Sequence, residues 1–379
     1  MLQFPEIVTR VLPSERISTR ALEGGLGLCD ILIVRYFGNR NFTSRKALSR
    51  LLNRCLLNLL LMRKLLLILW AGKAVAQSTA DLPIATTESR GAVVSLVEEN
   101  DKFGADGSDC YYTQGLRMAV QMDPHTYFAL TQEINTPLAT HTPNPPETDL
   151  PYSGALYLSY GYGKILDREG RRDCLFSIEG QIGVTGPASG AETIQNRFHQ
   201  LIGTEEVAGW GTQIPSEPVA NLNVEFRRRF AISPIDHPIR DLILRGAFQA
   251  GTIRTEGIIG SQIRWGWNLN QSWGQGTIRH SNAYNPDFDG TGVYPANYSS
   301  WFFADAQLEV IMRNYATNGT NFRESRRVEN RPVVLQFMAG ATVNIYRLSV
   351  AYYMAYRTKE FETQAKAHCF GGLKADIKF

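Results

Sequence analysis

Ala155-Leu-Tyr-Leu-Ser-Tyr-Gly-Tyr162 and Leu348-Ser-Val-Ala-Tyr-Tyr-Met-Ala-Tyr356 alternate apolar and small or polar residues with a period of two. That period belongs to a strand with two unlike faces, since successive side chains leave a strand on opposite sides. Outward from these two stretches the same unit recurs. About ten alternating residues are followed by a turn rich in Gly, Asn, Asp or Pro, which predicts strands at 92–99, 112–122, 126–134, 155–164, 174–184, 221–232, 242–252, 257–268, 301–312, 333–341, 346–357 and 370–379. The spacing gives about twelve strands, an even number as in bacterial outer-membrane barrels.

Alternation alone fits a soluble sandwich as well. Three further features select a transmembrane antiparallel β-barrel. Trp265, Trp267, Trp301 and Tyr356 stand near strand ends, where interfacial girdles form, and the last strand, Leu373-Lys-Ala-Asp-Ile-Lys-Phe379, closes on an aromatic residue. The third is an export signal. Met62-Arg63-Lys64 precedes the apolar run Leu65 to Trp70 and then Ala74-Val75-Ala76, the order of a secretory signal peptide cleaved after Ala76. The competing reading is a single signal-anchor from Leu56 to Ala76, interrupted by Arg63 and Lys64, and charges within a span are costly. The expected organisation is a leader or start-site overextension over 1–61 with no assigned fold, a signal peptide over 62–76, and a barrel domain over 77–379.

Composition agrees. The 379 residues are 44% hydrophobic and 20% charged with mean hydropathy −0.20, which excludes a helical membrane protein and a disordered chain. Aromatics at 11% and 33 glycines favour strands and tight turns. The net charge of +3 is concentrated at the front, where the first 76 residues hold 12 Lys/Arg and 4 Asp/Glu. Beyond them the balance is −5, with no basic face for a nucleic acid. Cys110, Cys174 and Cys369, an odd set without CxxC or Cys/His spacing, imply no zinc site.

One segment breaks the strand period. Ser189-Gly-Ala-Glu192 has the form of a capping box, and Ile194, Phe198, Leu201 and Ile202 recur at helical spacing before Gly203. A short helix is therefore expected between the fifth and sixth strands, with Glu192, Gln195, Asn196 and His199 on its polar face. His199 is either a packing residue or a general base, which Gln195 and Glu205 could orient through the second ring nitrogen. Asn100-Asp101 ends the first strand, ahead of a Gly-rich loop with Asp106 and Asp109, and Thr113 opens the second. Carboxylate, amide and hydroxyl then share one rim, forming either a polar turn or a hard-cation site. G-x-S-x-G, P-loop and HExxH patterns are missing. Arg227-Arg-Arg229 reads as a charged strand end or a contact for lipid phosphates.

At these residues the chain resembles the lipid A 3′-O-deacylases of Gram-negative outer membranes. The resemblance runs from about residue 91 to Phe379. It rests on Glu99-Asn-Asp101, Asp109-Cys-Tyr-Tyr-Thr-Gln-Gly115, Pro151-Tyr-Ser-Gly154, Gly186-Pro-Ala-Ser-Gly190 and above all Gln195-Asn-Arg-Phe-His-Gln-Leu-Ile-Gly203. It implies a twelve-stranded barrel with its site between wall and helix, and Ca²⁺-dependent hydrolysis of the ester that carries the 3′ acyloxyacyl group of lipid A in the outer leaflet. His199 would activate water. Asp101 and Asn100, the expected metal residues, would with Thr113 support the cation or the oxyanion, and Gln195 and Glu205 match further polar positions. A lysine of the family pattern after the third strand is absent from Asn135–Thr142, where His141 or Thr142 stands, and Cys110 and Gln114 replace an expected Arg and Asn. The resulting expectation is a monomeric outer-membrane carboxylic ester hydrolase acting on lipopolysaccharide. Its rival is a non-catalytic barrel, a small channel or a surface-binding protein.

Overall fold

The computed structural model describes residues 91–104, 110–168, 171–203, 205–232, 239–269, 272–286 and 298–379. The expected leader, the signal peptide with its cleavage point, Asp106 and Asp109 lie outside these residues. Among the described residues twelve antiparallel strands follow one another around a closed barrel. They are β1 (Val93–Asn100), β2 (Tyr111–Gln121), β3 (Thr126–Thr136), β4 (Ser153–Arg168), β5 (Arg171–Thr185), β6 (Pro218–Ala231), β7 (Arg240–Gly251), β8 (Arg254–Trp267), β9 (Tyr298–Asn314), β10 (Val333–Ile345), β11 (Leu348–Arg357) and β12 (His368–Lys378). A helix, α1 (Ala191–Ile202), interrupts the series between β5 and β6, and a single turn, α2 (Tyr315–Asn318), follows β9.

Closure joins the ends of the chain's strand series. β12 pairs with β1 from Val93↔Lys378 to Asn100↔Gly371, and the Phe379 N–H donates to the Ala92 carbonyl at 2.8 Å. Every strand thus has two neighbours, which satisfies backbone groups that hydrocarbon could not. The outward parity of the strands carries exposed Leu96, Met118, Leu130, Ile182, Phe248, Ile259 and Phe337, an apolar belt around the wall. No helix among the described residues is long and apolar enough to cross a membrane. The rim that holds both ends of the strand series has the tight connections 122–125 and 346–347 and, besides them, the long β8–β9 connection, whose residues 272–286 turn into the lumen, whereas the opposite rim carries 137–152, 186–217 and 315–332. The long-loop rim is the outer one in barrels of this class.

Trp265, Trp267 and Tyr356 face outward and are exposed, as expected of a girdle. Trp301 does not. It shares the inward parity of Phe303, Asp305, Gln307 and Glu309 on β9, and the Arg264 guanidinium lies 5.4 Å from its ring centre. Parity also decides the arginine triplet. Arg228 points outward over the Phe230 ring, but Arg227 donates to the Trp273 carbonyl at 2.8 Å and Arg229 to that of Ser272 at 3.1 Å. Two of the three arginines therefore bind a loop inside the barrel rather than lipid phosphate.

That loop is the β8–β9 connection, whose residues 272–286 occupy the lumen. The Ile278 N–H donates to Glu99 on β1 at 2.9 Å, and Arg117 on β2 donates to the Ile278 carbonyl. Arg279 meets Glu133 on β3, the Ala283 N–H meets Glu179 on β5, and the Asn282 N–H meets Glu225 on β6. Gln249 on β7 donates to the Arg279 carbonyl, Gln262 on β8 accepts from Gln275, and Asn285 donates to Asp376 on β12. Tyr284 packs where a side chain at Gly163 on β4 would stand, so only glycine fits there. The loop is seated by charge: Glu133 takes a two-pronged contact from Arg254, one hydrogen bond from Arg279 at 3.3 Å and one from the Tyr157 hydroxyl at 2.7 Å.

Removing one member of such a buried set strands the others. Glu133→Ala is expected to lower the unfolding free energy by about 3–5 kcal/mol, whereas Leu96→Ala on the lipid-facing belt costs a small fraction of that. Urea titration of the detergent-folded barrel, followed by tryptophan fluorescence, measures both; equal losses would contradict the assigned role of Glu133.

Candidate active site

The segment 186–203 folds differently from the capping-box expectation. Gly186–Ser189 forms a 3-10 turn, and the Ser189 hydroxyl donates back to the Gly186 carbonyl at 2.6 Å instead of capping a helix. Gly190 is the N-cap of α1, without a side-chain hydrogen bond. Gly203, at φ 68°, ends the helix with its N–H on the carbonyls of Gln200 and His199, a left-handed position that glycine adopts without steric cost.

The faces of α1 are the reverse of those in a soluble protein. Gln195 and His199 are 3% and 4% exposed, while Leu201 is 82% exposed and Ile194 and Phe198 also point away from the wall. Periodicity locates the two faces of a helix but does not say which of them meets protein. Here the polar face meets protein because the helix lies on the outer side of the barrel wall. Gln132, Ile134 and Thr136 on β3 share the parity of exposed Phe128 and Leu130, so they face outward. Gln132 Nε2 donates to the Ser189 carbonyl at 2.9 Å, and Ile134 clusters with Tyr152, Ala191, Val207 and Trp210. A Cβ on Gly154 of β4 would overlap Ala191 Cβ and Ser189 Oγ, so a glycine there sets how closely α1 approaches the wall.

His199 is oriented by the chain just beyond its own helix. Its Nδ1 lies 2.7 Å from the Glu205 carbonyl oxygen. A carbonyl only accepts, so Nδ1 carries the proton and Nε2 bears the lone pair in the neutral ring. The sequence suggested the side chain of Glu205 for this task. The main chain performs it, and the exposed Glu205 carboxylate stands 3.8 Å from His141 Nδ1 instead. Gln195 likewise is turned elsewhere. Its Oε1 accepts from Trp210 Nε1 at 2.9 Å, and its buried Nε2 has no hydrogen-bond partner. Asn196 Oδ1 accepts from the Val207 N–H at 3.1 Å, and the Tyr152 hydroxyl donates to the Thr140 carbonyl at 3.3 Å. Burial pushes the Tyr152 phenol above its ordinary pKa, keeping it a neutral donor.

Asn100, Asp101 and Thr113 assemble at the ends of β1 and β2. Asn100 has the outward parity of Leu96, and its Oδ1 accepts from the Lys102 N–H at 2.9 Å, capping the 3-10 turn Asp101–Phe103. Asp101 is 0% exposed, and its Oδ2 accepts from the Cys110 N–H at 2.7 Å, tying both ends of the first outer loop together. Asn100 pairs with Gln114, and the β2–β3 register slips at Thr113, leaving that residue as a bulge. The bulge aims the Thr113 hydroxyl at Thr136, 2.6 Å away on the outward face of β3. With strands about 4.8 Å apart, the corner on β1–β3 and the helix on β3–β4 are neighbours on one outer wall at the outer rim. Asn100 by its parity, Thr113 through its bulge, and Gln195 and His199 on α1 lie on the outer side of the wall, Asp101 stands at the end of β1 next to Asn100, and the Glu205 carboxylate is exposed.

Sequence reasoning passed over Thr136, Trp210 and Glu98. Gln114 Nε2 donates to Glu98 Oε1 at 3.0 Å, directly below Asn100 on the outer face. A carboxylate at lipid-facing parity is costly, and counting parity along β1 would have marked it. The donors at the corner are carboxylate, amide and hydroxyl oxygens, a set suited to a hard cation such as Ca²⁺, and the His199 imidazole is a group able to transfer a proton.

Residues 64–379 match the family model described as outer membrane protein LpxR. Among solved structures the chain is similar to LpxR from Salmonella typhimurium, with TM-score 0.61 and 18% identity over 75% of this chain and 99% of that one. The NanC porin, at TM-score 0.34 and 6% identity, covers 76% of this chain and 100% of its own, and the β domain of the Bordetella autotransporter BrkA, at 0.35 and 10%, covers 76% and 98%. Likeness at those two scores carries no argument. No curated protein matches the chain.

Gly154→Val is expected to lift α1 from the wall while the barrel stays closed. Carbethoxylation by diethyl pyrocarbonate should then modify His199 several-fold faster than in the wild type, with heat-modifiable gel mobility unchanged. An unaltered rate would mean that the Gly154 contact does not hold the helix.

Proposed function

This chain belongs to the LpxR family of outer membrane proteins, the lipid A 3′-O-deacylases, and from that premise we propose that it hydrolyses the ester linking the 3′ acyloxyacyl group to lipid A, with a water activated by His199. One observation carries the reading. A histidine in a defined tautomer is buried between α1 and the outer face of the wall, on the side that faces the membrane and not in the lumen.

His199 Nε2 takes a proton from water, and the Glu205 carbonyl on Nδ1 stabilises the imidazolium that forms. The hydroxide attacks the ester carbonyl, and the imidazolium returns its proton to the departing sugar oxygen. The tetrahedral oxyanion needs donors, and the unpartnered Gln195 Nε2 is one on the same buried helix face. Asp101 and Asn100, with Thr113 beside them, would hold a Ca²⁺ ion. When bound, that ion supplies Lewis-acid polarisation of the ester carbonyl. The helix's outward Ile194, Phe198 and Leu201 suit contact with acyl chains, so lipid A would approach from the leaflet rather than from water.

The rival reading, a channel, is disfavoured by the lumen loop, which makes hydrogen bonds to wall residues around the barrel. The missing lysine after β3 leaves His141 next to Glu205 at the end of α1, and a phosphate of the substrate would find no fixed cation at that point.

Mass spectrometry of lipid A from cells expressing the protein tests the proposal. Wild type should yield a species lighter by the 3′ acyloxyacyl group, and His199→Ala should reduce its rate of formation by about 10²–10⁴-fold with heat-modifiable mobility retained. Asp101→Ala and chelation of Ca²⁺ should each abolish product. Unmodified lipid A from a folded wild-type barrel supplied with Ca²⁺ would refute the assignment.

A further inference from the structure

Inside the barrel, away from the outer-wall site, His280 of the lumen loop faces two carboxylates of the wall, Glu256 on β8 and Glu309 on β9. His280 Nε2 lies 3.6 Å from Glu256 Oε1 and 3.5 Å from Glu309 Oε2, and the three ligand atoms all fall within 4.8 Å of one another. These separations are too long for hydrogen bonds, which need about 2.7–3.2 Å. They fit the edges of a tetrahedron, since ligand atoms held at about 2.1 Å from one zinc ion stand about 3.4 Å apart.

Two further observations point to a ligand. Glu256 is 2% exposed, and Oε1, the atom aimed at His280, has no hydrogen-bond partner. An orphaned buried carboxylate oxygen is expensive unless something coordinates it. His280, also 2% exposed, has Nδ1 3.0 Å from Thr277 Oγ1. With Nδ1–H donated to that hydroxyl, Nε2 carries the lone pair, the state in which an imidazole binds a metal.

The neighbouring guanidinium groups are charge-matched, and one of them, Arg357, shares the ligand carboxylate Glu309 with the site. Arg357 forks onto Glu309 at 2.8 Å through both terminal nitrogens and reaches Glu360 at 3.2 Å, while Arg254 and Arg279 converge on Glu133. Arg357 Nη1 also lies 3.5 Å from His280 Nε2, a long contact that a bound ion would replace. We propose that Glu256, His280 and Glu309 form a buried site for a divalent transition-metal ion, zinc by its nitrogen and oxygen donor set, which fastens the lumen loop to β8 and β9. The site is structural and independent of the cation expected at Asp101.

The test uses the untagged full chain folded in detergent, stripped with chelator, dialysed against zinc and assayed by elemental analysis. Wild type and Asp101→Asn should each retain about one zinc per chain, and His280→Ala and the isosteric Glu256→Gln less than a tenth of that. Replacing zinc by cobalt should give the intense visible bands of a tetrahedral ion in the wild type, a measurement that stands even if His280→Ala fails to fold. Zinc should also raise the temperature at which the folded gel band is lost, in wild type and not in Glu256→Gln. Stoichiometric zinc in Glu256→Gln, no retained zinc in wild type, or a weak octahedral cobalt spectrum would overturn the proposal and leave a proton shared between His280 and Glu256 as the alternative.

Discussion

A bilayer gives an unpaired backbone group nothing to bond, and that single constraint organises this molecule. It requires β12 to return to β1, and once the wall is closed each strand has one face toward lipid and one toward a lumen. The two faces then carry separate tasks. Along four consecutive residues of β1 and its extension, Glu99 turns inward, accepting from Tyr112 and Tyr353 at 2.6 Å each and from the lumen loop, while Glu98 and Asn100 turn outward and Asp101 ties down the first outer loop. One short stretch therefore fixes the interior and the candidate site together. A slip of one residue in its register would exchange the two sets and destroy both.

The interior is filled by charge rather than by hydrocarbon. Buried pairs such as Arg264–Asp241, and the set around Glu133, add little net stability because desolvation offsets their attraction. What they provide is position: a guanidinium between fixed carboxylates accepts few geometries, so residues 272–286 have one way to sit. A lumen held in this manner keeps the wall stiff beneath α1, and an oriented His199 on the far side of that wall needs such a support.

Much of the fold was legible in the sequence because the relevant signals are local. Strand period, turn composition and the break at α1 each depend on ten or so residues, and all twelve strands and the helix's place among them follow from such windows. The inward turn of Trp301, the inversion of α1 and the lumen loop were not legible, since each depends on what lies across from a residue rather than beside it. The same distinction holds for the candidate site. Asn100, Asp101, Thr113, Gln195 and His199, the candidate residues, stand in recognisable local motifs. The carbonyl of Glu205, the Trp210 bond to Gln195 and the hydroxyl of Thr136 are long-range or main-chain contributions, invisible to a reading of side-chain types.

The reversed helix has a kinetic meaning. With Ile194, Phe198 and Leu201 turned away from the wall and Gln195 and His199 buried against it, the proposed function has its substrate reach the site along the membrane plane. Encounter is then a two-dimensional search, and the quantity that sets its frequency is the mole fraction of substrate in the surrounding leaflet, not its concentration in the bulk. Spreading the same number of lipid molecules through more inert amphiphile slows turnover at constant total concentration, and crowding them into a patch around the barrel speeds it.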